Sequence, residues 1–241
     1  MRLTLKNYYT INSEYITSSK LKDWSDDKKV FFDKHVLHRY SKKNNNPAFV
    51  YGALMDYALS DRPNLFNECK HLVGYNVLLG IEETARRVRK TKTFRDFMKT
   101  EPVSQIILSH KKKIGIFKGL AGIPDWYKIN KNVCMITDLK TTAASNHIEY
   151  YYHCDRYKYY LQQAFYQMLI ELIYEKEFLF FSQHLVVYKR YKGRRVEMIK
   201  LEQSKIDKEK EKIKKYLCEI SKETKFGRYA TTWSFTNTKK K

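Results

Sequence analysis

Residues 122–142 read GIPDWYKINKNVCMITDLKTT. The run NVCMITDLK (132–140) is rich in β-branched and apolar residues, and so is IFKGLAGIPDWY (116–127) before it. INKN separates the two as a turn, and KKKIG separates the second from SQIILS (104–109). Short runs of this composition bounded by turn residues read as strands, and three in succession predict an antiparallel meander. Asp138 and Lys140 are two apart on the last strand, so their side chains share a face. An ordinary core face cannot hold them, because buried charges must be paired or metal-bound. Asp125 ends the preceding strand, and in a tight meander it lies close to Asp138.

Outward from this block the pattern is helical. ITSSKLKDW (16–24) opens a helix with Ser18 or Ser19 as its cap. KKNNNPAFVYGALMDYAL (42–59) opens a second, with Asn46 as cap and Pro47 in the first turn. A third covers about Leu79 to Lys99 and carries Arg86, Arg87, Arg89, Lys90 and Lys92 as a basic face. From Tyr157 to Glu175, Leu161, Ala164, Phe165, Met168, Leu169 and Leu172 follow helical spacing. HLVVYKRYKGRRVEMIKL (184–201) reads as a hairpin, and residues 203–220 as a last helix. The expected fold is α/β, with a central mixed sheet flanked by helices. With 8 glycines, 4 prolines and no linker, the chain reads as one domain, residues 1–241. It has a helical N-terminal part (about 1–100) and a short basic tail, TNTKKK.

Lysine plus arginine number 47 against 26 acidic residues, a net charge of +21. Such a charge repels itself and is tolerated best beside a polyanion. Nucleic acid is the leading partner, and an anionic membrane surface comes second. No run of about 18 apolar residues predicts a membrane span. The N-terminus lacks the apolar stretch of a signal peptide. The four cysteines are scattered, which argues against a zinc cluster or disulfide framework and for a reducing cytoplasm. His71, His110, His147, His153 and His184 lack metal-ligand spacing and read as surface or hydrogen-bonded histidines.

Two carboxylates in one site repel, and each prefers to protonate unless a cation lies between them. A hard cation such as Mg²⁺ or Mn²⁺ takes oxygen ligands, lowers the pKa of coordinated water and screens a phosphate. Lys140 would stabilise the negative charge that develops.

Pro124-Asp125 with Asp138-Leu139-Lys140 resembles the P-D…(D/E)-x-K signature of a nuclease superfamily. Gly122-Ile-Pro-Asp125, Thr141-Thr142 and Gln162-Gln-Ala-Phe-Tyr166 are similar to its RecB-like and phage RecE- and lambda-exonuclease-like branch. Gly52-Ala-Leu-Met-Asp56 resembles that branch's helical G-x-x-x-(H/E) motif, with Asp in the last place. The likeness covers roughly residues 16 to 230 and takes in GRYATTW near the C-terminus.

The resemblance implies a restriction-endonuclease-like core and a metal-dependent DNA exonuclease of phage recombination type. It implies that Asp56, Asp125, Asp138 and the Leu139 carbonyl hold Mg²⁺ or Mn²⁺. Lys140 would be the catalytic lysine, and Gln162 and Tyr166 would organise the site. The basic face at Arg86, Arg87, Arg89, Lys90 and Lys92 would meet DNA. A single-strand annealing protein and a homo-oligomeric ring are possible partners of such enzymes, and the location would be cytoplasmic, in a host cell if phage-encoded. Two rivals stay open: an endonuclease of the same superfamily, and a noncatalytic DNA-binding subunit retaining the fold. Glu82 and Glu83 read as a helix's solvated acidic turn or an extra ligand, and Glu101 and Gln105 as weak accessory positions. YYYHCDRYKYY (150–160) reads either as half core or as rings that stack the bases of a single strand.

Overall fold

The computed structural model describes residues 12–39, 47–60, 63–104, 106–192 and 194–225. The expected cap Asn46, Gln105, GRYATTW and TNTKKK lie outside the described residues.

Strands and helices are numbered along the chain. A five-stranded sheet runs in the order β2 (Val103–Ser104), β5 (Trp126–Asn130), β6 (Val133–Thr142), β7 (Leu179–Tyr188), β8 (Val196–Lys200). β6 is its middle strand, antiparallel to β5 and parallel to β7. Both relations follow from the connections. Lys131, at φ 53°, turns β5 directly back into β6. From β6 to β7 the chain crosses over through α7 (His147–Arg156) and α8 (Tyr159–Tyr174). A helical crossover of that kind returns a strand parallel to the first. β7 and β8 form the expected hairpin.

The three-strand meander is corrected. Segment 116–127 is not one strand but the end of one sheet and the start of another. β4 (Gly119–Gly122) pairs with β3 (Leu108–His110) and β1 (Tyr15–Ile16) in a separate three-stranded sheet. Ile123, Pro124 and Asp125 step from β4 to β5. Proline has no amide hydrogen to carry a ladder onward, so the sheet breaks there.

Helix ends differ from the sequence expectation in the same local way. α1 (Ser18–Asp26) is capped by Thr17, whose hydroxyl accepts the Lys20 amide at 3.4 Å, rather than by Ser18 or Ser19. Asp27 then caps α2 (Lys28–His35), a helix the periodicity did not show. The expected helix over 79–99 is two, α5 (Tyr75–Lys90) and α6 (Lys92–Met98). Thr91 ends the first and caps the second, accepting the Phe94 amide at 3.3 Å. α3 (Pro47–Leu59), α4 (Pro63–Cys69) and α9 (Gln203–Lys225) complete the helices.

β6 is covered on both faces. Cys134 and Ile136 pack with Leu161, Ala164, Phe165 and Leu169 of α8 and with Ile206, Ile213 and Ile220 of α9. Leu139 faces the other way, with Leu185, Val187 and Trp126, under Leu54, Met55 and Leu59 of α3 and Ile81, Ala85 and Val88 of α5. Alternation therefore puts Asp138 and Lys140 on the α8 face, towards the end of the strand. Among the described residues no helix is long and apolar enough to cross a membrane.

Candidate active site

Antiparallel pairing of β5 with β6 ends at Trp126 opposite Thr137. One step further, Asp125 stands opposite Asp138. The ladder is continued there by a side chain: Asp125 Oδ2 accepts the Leu139 amide hydrogen at 2.7 Å. In an antiparallel edge a residue's amide and carbonyl point the same way, so the Leu139 carbonyl faces this edge too.

Asp138 is 1 % exposed, and Lys140 Nζ donates to its Oδ2 at 2.5 Å. Burial by itself would raise the Asp138 pKa, but the charges of Lys140 and its neighbours outweigh it and hold the carboxyl below the usual range. For Lys140 burial works downward, and the Asp138 and Asp125 carboxylates overcome it and raise the pKa. Asp125 has no such lysine of its own. Burial first, then the charges of Asp138 and Asp56, push its pKa well above the carboxylate range.

Two residues of α8 close the site. Lys140 Nζ donates to Gln162 Oε1 at 3.4 Å, and Gln162 Nε2 donates to Tyr166 Oη at 3.1 Å. The Tyr166 hydroxyl donates in turn to the Ile123 carbonyl at 3.0 Å, two residues before Asp125. Residues i and i+4 share a helix face, so one stripe of α8 links the Lys140 strand to the Asp125 loop. Gly122 makes the approach possible: a Cβ there would lie 3.0 Å from the Tyr166 ring.

The structure thus brings Asp125, Asp138, Leu139, Lys140, Gln162 and Tyr166 together. Asp56 lies on α3 near enough for its charge to act on Asp125. Yet among the described residues no group of three or more His, Cys, Asp and Glu side chains gathers as a metal cage. Two carboxylates that crowd each other, with one oxygen of each already committed, still suit a small divalent cation. Mg²⁺ is commonly held by one or two carboxylates, with water and substrate phosphate completing the shell.

Two members of the expected basic face are tied to other parts of the chain. Arg87 pairs with Glu83 and also donates to the Lys192 carbonyl, while Arg89 donates to the Ala58 carbonyl. Arg86 and Lys90 are exposed on the side of α5 away from Ile81, Ala85 and Val88, and Lys92, at the start of α6, is exposed as well.

Several neighbours were invisible in the sequence. Lys22 of α1 interacts electrostatically with Asp138 and Lys140, and burial followed by Lys140 lowers its pKa to about 8. The Tyr159 ring lies under both lysines, with Lys140 Nζ 4.8 Å and Lys22 Nζ 5.6 Å from its centroid. His184 sits beside Asp138 in the β6–β7 register, fully buried, with Tyr150 Oη 2.7 Å from its Nδ1. Burial, then Lys140, drives its pKa down to about 3, so it is a neutral wall of the site. Only the register of a parallel partner strand could have pointed to His184. Nothing local in ITSSKLKDW marks Lys22.

A solved structure described as a "Putative exonuclease" from Eubacterium rectale superposes with a TM-score of 0.66 at 17 % identity, over 94 % of this chain and 88 % of that one. A second, SSO0001, has a TM-score of 0.33 at 11 % identity, covering 66 % of this chain and 72 % of that one. The first likeness is one of fold, and the second is too slight to argue from. No curated protein matches the chain. The model of one family, described as "PDDEXK-like domain of unknown function (DUF3799)", matches residues 17–228. That span takes in the Pro124-Asp125 loop, the Asp138-Leu139-Lys140 strand and the Gln162–Tyr166 stripe, and the chain belongs to this PDDEXK-like family.

Proposed function

We propose that the protein is a divalent-cation-dependent DNA exonuclease. The observation that carries the reading is the convergence of Asp125, Asp138 and Lys140 at one sheet edge, locked from α8 by Gln162 and Tyr166. Asp125, Asp138 and the Leu139 carbonyl would hold the cation, with Asp56 adding negative charge from α3. A bound cation there supplies Lewis-acid polarisation and neutralises the charge of a phosphodiester.

The chain's own groups do the rest. Lys140 carries three N–H donors, and Asp138 and Gln162 take two. The third is available to a phosphoryl oxygen, where it stabilises negative charge as the bond breaks. Gln162 fixes the direction of that ammonium by accepting from it. Tyr166 holds Gln162 and the Ile123 carbonyl, which keeps Asp125 opposite Asp138. Lys22 adds a second positive charge over the cleft. The Gly122-to-Asp125 and Gln162-to-Tyr166 motifs favour exonuclease over endonuclease action, because they resemble those of the RecB-like and phage RecE- and lambda-exonuclease-like branch. The intact Asp/Asp/Lys set speaks against a noncatalytic subunit.

The test is incubation of end-labelled linear duplex DNA and closed circular DNA with Mg²⁺, with Mn²⁺ or with EDTA. Nucleotide release from linear DNA alone, abolished by EDTA, is the expected result. Cutting of closed circles would shift the reading to an endonuclease, and no cleavage under any condition would reject it.

A further inference from the structure

The tyrosines of the stretch 150–160 differ in burial. Tyr150 and Tyr160 belong to the core, whereas Tyr152 is 71 % and Tyr157 46 % exposed. Tyr157 ends α7 and Tyr159 opens α8. Between them Lys158 takes a left-handed conformation, φ 54° and ψ 45°. That conformation is uncommon and costly for a residue with a side chain. Here Lys158 is anchored by donating to Ser25 and Asp26 of α1. The kink brings the rings of Tyr157 and Tyr159 to 5.8 Å, tilted by 36°.

Tyr159 carries the two site lysines on its ring. The His153 ring lies 5.5 Å from that of Tyr157 in an edge contact at 69°, and His153 Nδ1 is 3.0 Å from the hydroxyl of Thr142 at the end of β6. The Arg156 guanidinium is 5.6 Å from the Tyr157 centroid. Rings and cations thus form an unbroken line from Lys140 to the surface.

A lone half-exposed tyrosine needs no explanation. This one extends a cation-lined path that starts at the lysine assigned to the scissile phosphate. A duplex turns its phosphates outward and its bases inward, so a site that meets only duplex backbone has no use for such a ring. Unpaired bases do: each has a π-face that stacks on an aromatic side chain, while neighbouring cations hold the backbone.

We propose that Tyr157, backed by Tyr159 and flanked by Arg156 and His153, is a stacking platform for an unpaired base beside the scissile phosphate. The substrate that fits is single-stranded DNA or a frayed strand end. This rests on the nuclease reading for the place of the phosphate, not for the platform's own chemistry.

The experiment is fluorescence anisotropy in EDTA, where no cleavage occurs, with a labelled single-stranded oligothymidylate and an abasic oligomer of equal length. Wild type should favour the based strand about fivefold or more. Tyr157→Phe should keep that preference, and Tyr157→Ala should erase it while leaving blunt-duplex affinity unchanged. Equal binding of the two strands by wild type, a preference surviving in Tyr157→Ala, or its loss in Tyr157→Phe would each overturn the platform. Cleavage measured separately with Mn²⁺ keeps the two readings apart. Base preference without cleavage refutes the nuclease alone, and cleavage without base preference refutes the platform alone.

Discussion

The Asp125 carboxylate takes the place of a strand: it accepts the Leu139 amide hydrogen at 2.7 Å, where the β5–β6 ladder has just ended. The bond holds Asp125 opposite Asp138, although burial first and then the Asp138 charge disfavour its ionised form and raise its pKa. A geometry that costs free energy in the empty site and gains it when a cation arrives is a common trade between stability and function.

Asp125→Asn tests that trade. The amide oxygen can still accept from Leu139, but the negative charge is gone. Thermal unfolding in EDTA should show unchanged or higher stability, while calorimetry should show weakened Mn²⁺ binding. A clearly less stable variant that binds Mn²⁺ normally would contradict the assignment.

Lys140→Ala should behave in the opposite sense. It leaves the buried Asp138 carboxylate without its lysine, and removing one member of a buried pair costs about 3–5 kcal/mol. Denaturant unfolding in EDTA should show a loss of this order. Added Mn²⁺ should recover more stability in the variant than in wild type, because binding to the native state stabilises it and here also supplies the missing positive charge. Equal stabilisation of both proteins by Mn²⁺ would argue that Asp138 does not hold the cation.

Much of the fold was legible because period and turn chemistry are local. The spacing from Leu161 to Leu172 gave α8, and the apolar run at 132–140 gave β6. Composition alone makes Pro124 part of a strand, but its missing N–H breaks the ladder, so one apolar run hides a change of sheet. The caps Asp27 and Thr91 are not legible in the sequence, because a capping side chain shows itself only once the chain has turned. At the site, Asp138 and Lys140 share a face by strand period alone, and Gln162 and Tyr166 by helix period. Lys22, Tyr159 and His184 reach the same place through tertiary packing and strand register, which no local window carries.

The α8 stripe can be loosened without touching a charge. Tyr166 is 5 % exposed and its hydroxyl serves both Gln162 and the Ile123 carbonyl. Tyr166→Phe should cost about 1 kcal/mol of stability and slow cleavage by misplacing Asp125 and Gln162. Gly122→Ala sets a methyl 3.0 Å from the same ring and should slow cleavage through the same residue. The double variant should then be slowed by much less than the product of the two effects, since sites in contact are not additive. Multiplicative single-turnover rates would show that the two act independently.

Stability should also report on Lys20 of α1, two residues before Lys22. Its side chain is buried, its Nζ donates to the Ser13 and Tyr15 carbonyls at 2.7 Å each, and burial lowers its pKa from 10.5 to about 7. A depressed folded pKa means that the unfolded chain holds the proton more tightly. The contribution is therefore fully present above pH 10.5 and is lost as pH falls towards 7. Between pH 8 and 9.5 Lys20 alone should make unfolding free energy rise with pH by up to about 1.4 kcal/mol per unit, and Lys22, lowered to about 8, adds to the rise in the same window. Lys20→Met should reduce the slope to what Lys22 supplies, and an unchanged slope in that variant would remove Lys20 from the account.

The central claim is that Lys140 acts on the phosphate while the two aspartates hold the cation. The direct measurement is single-turnover cleavage of end-labelled linear DNA at saturating Mn²⁺, comparing wild type with Lys140→Ala protein that calorimetry shows to bind Mn²⁺. The account predicts a rate about 10²–10³-fold lower, the loss typical of removing one electrostatic donor from a transition state. Cleavage by Lys140→Ala at close to the wild-type rate would contradict it.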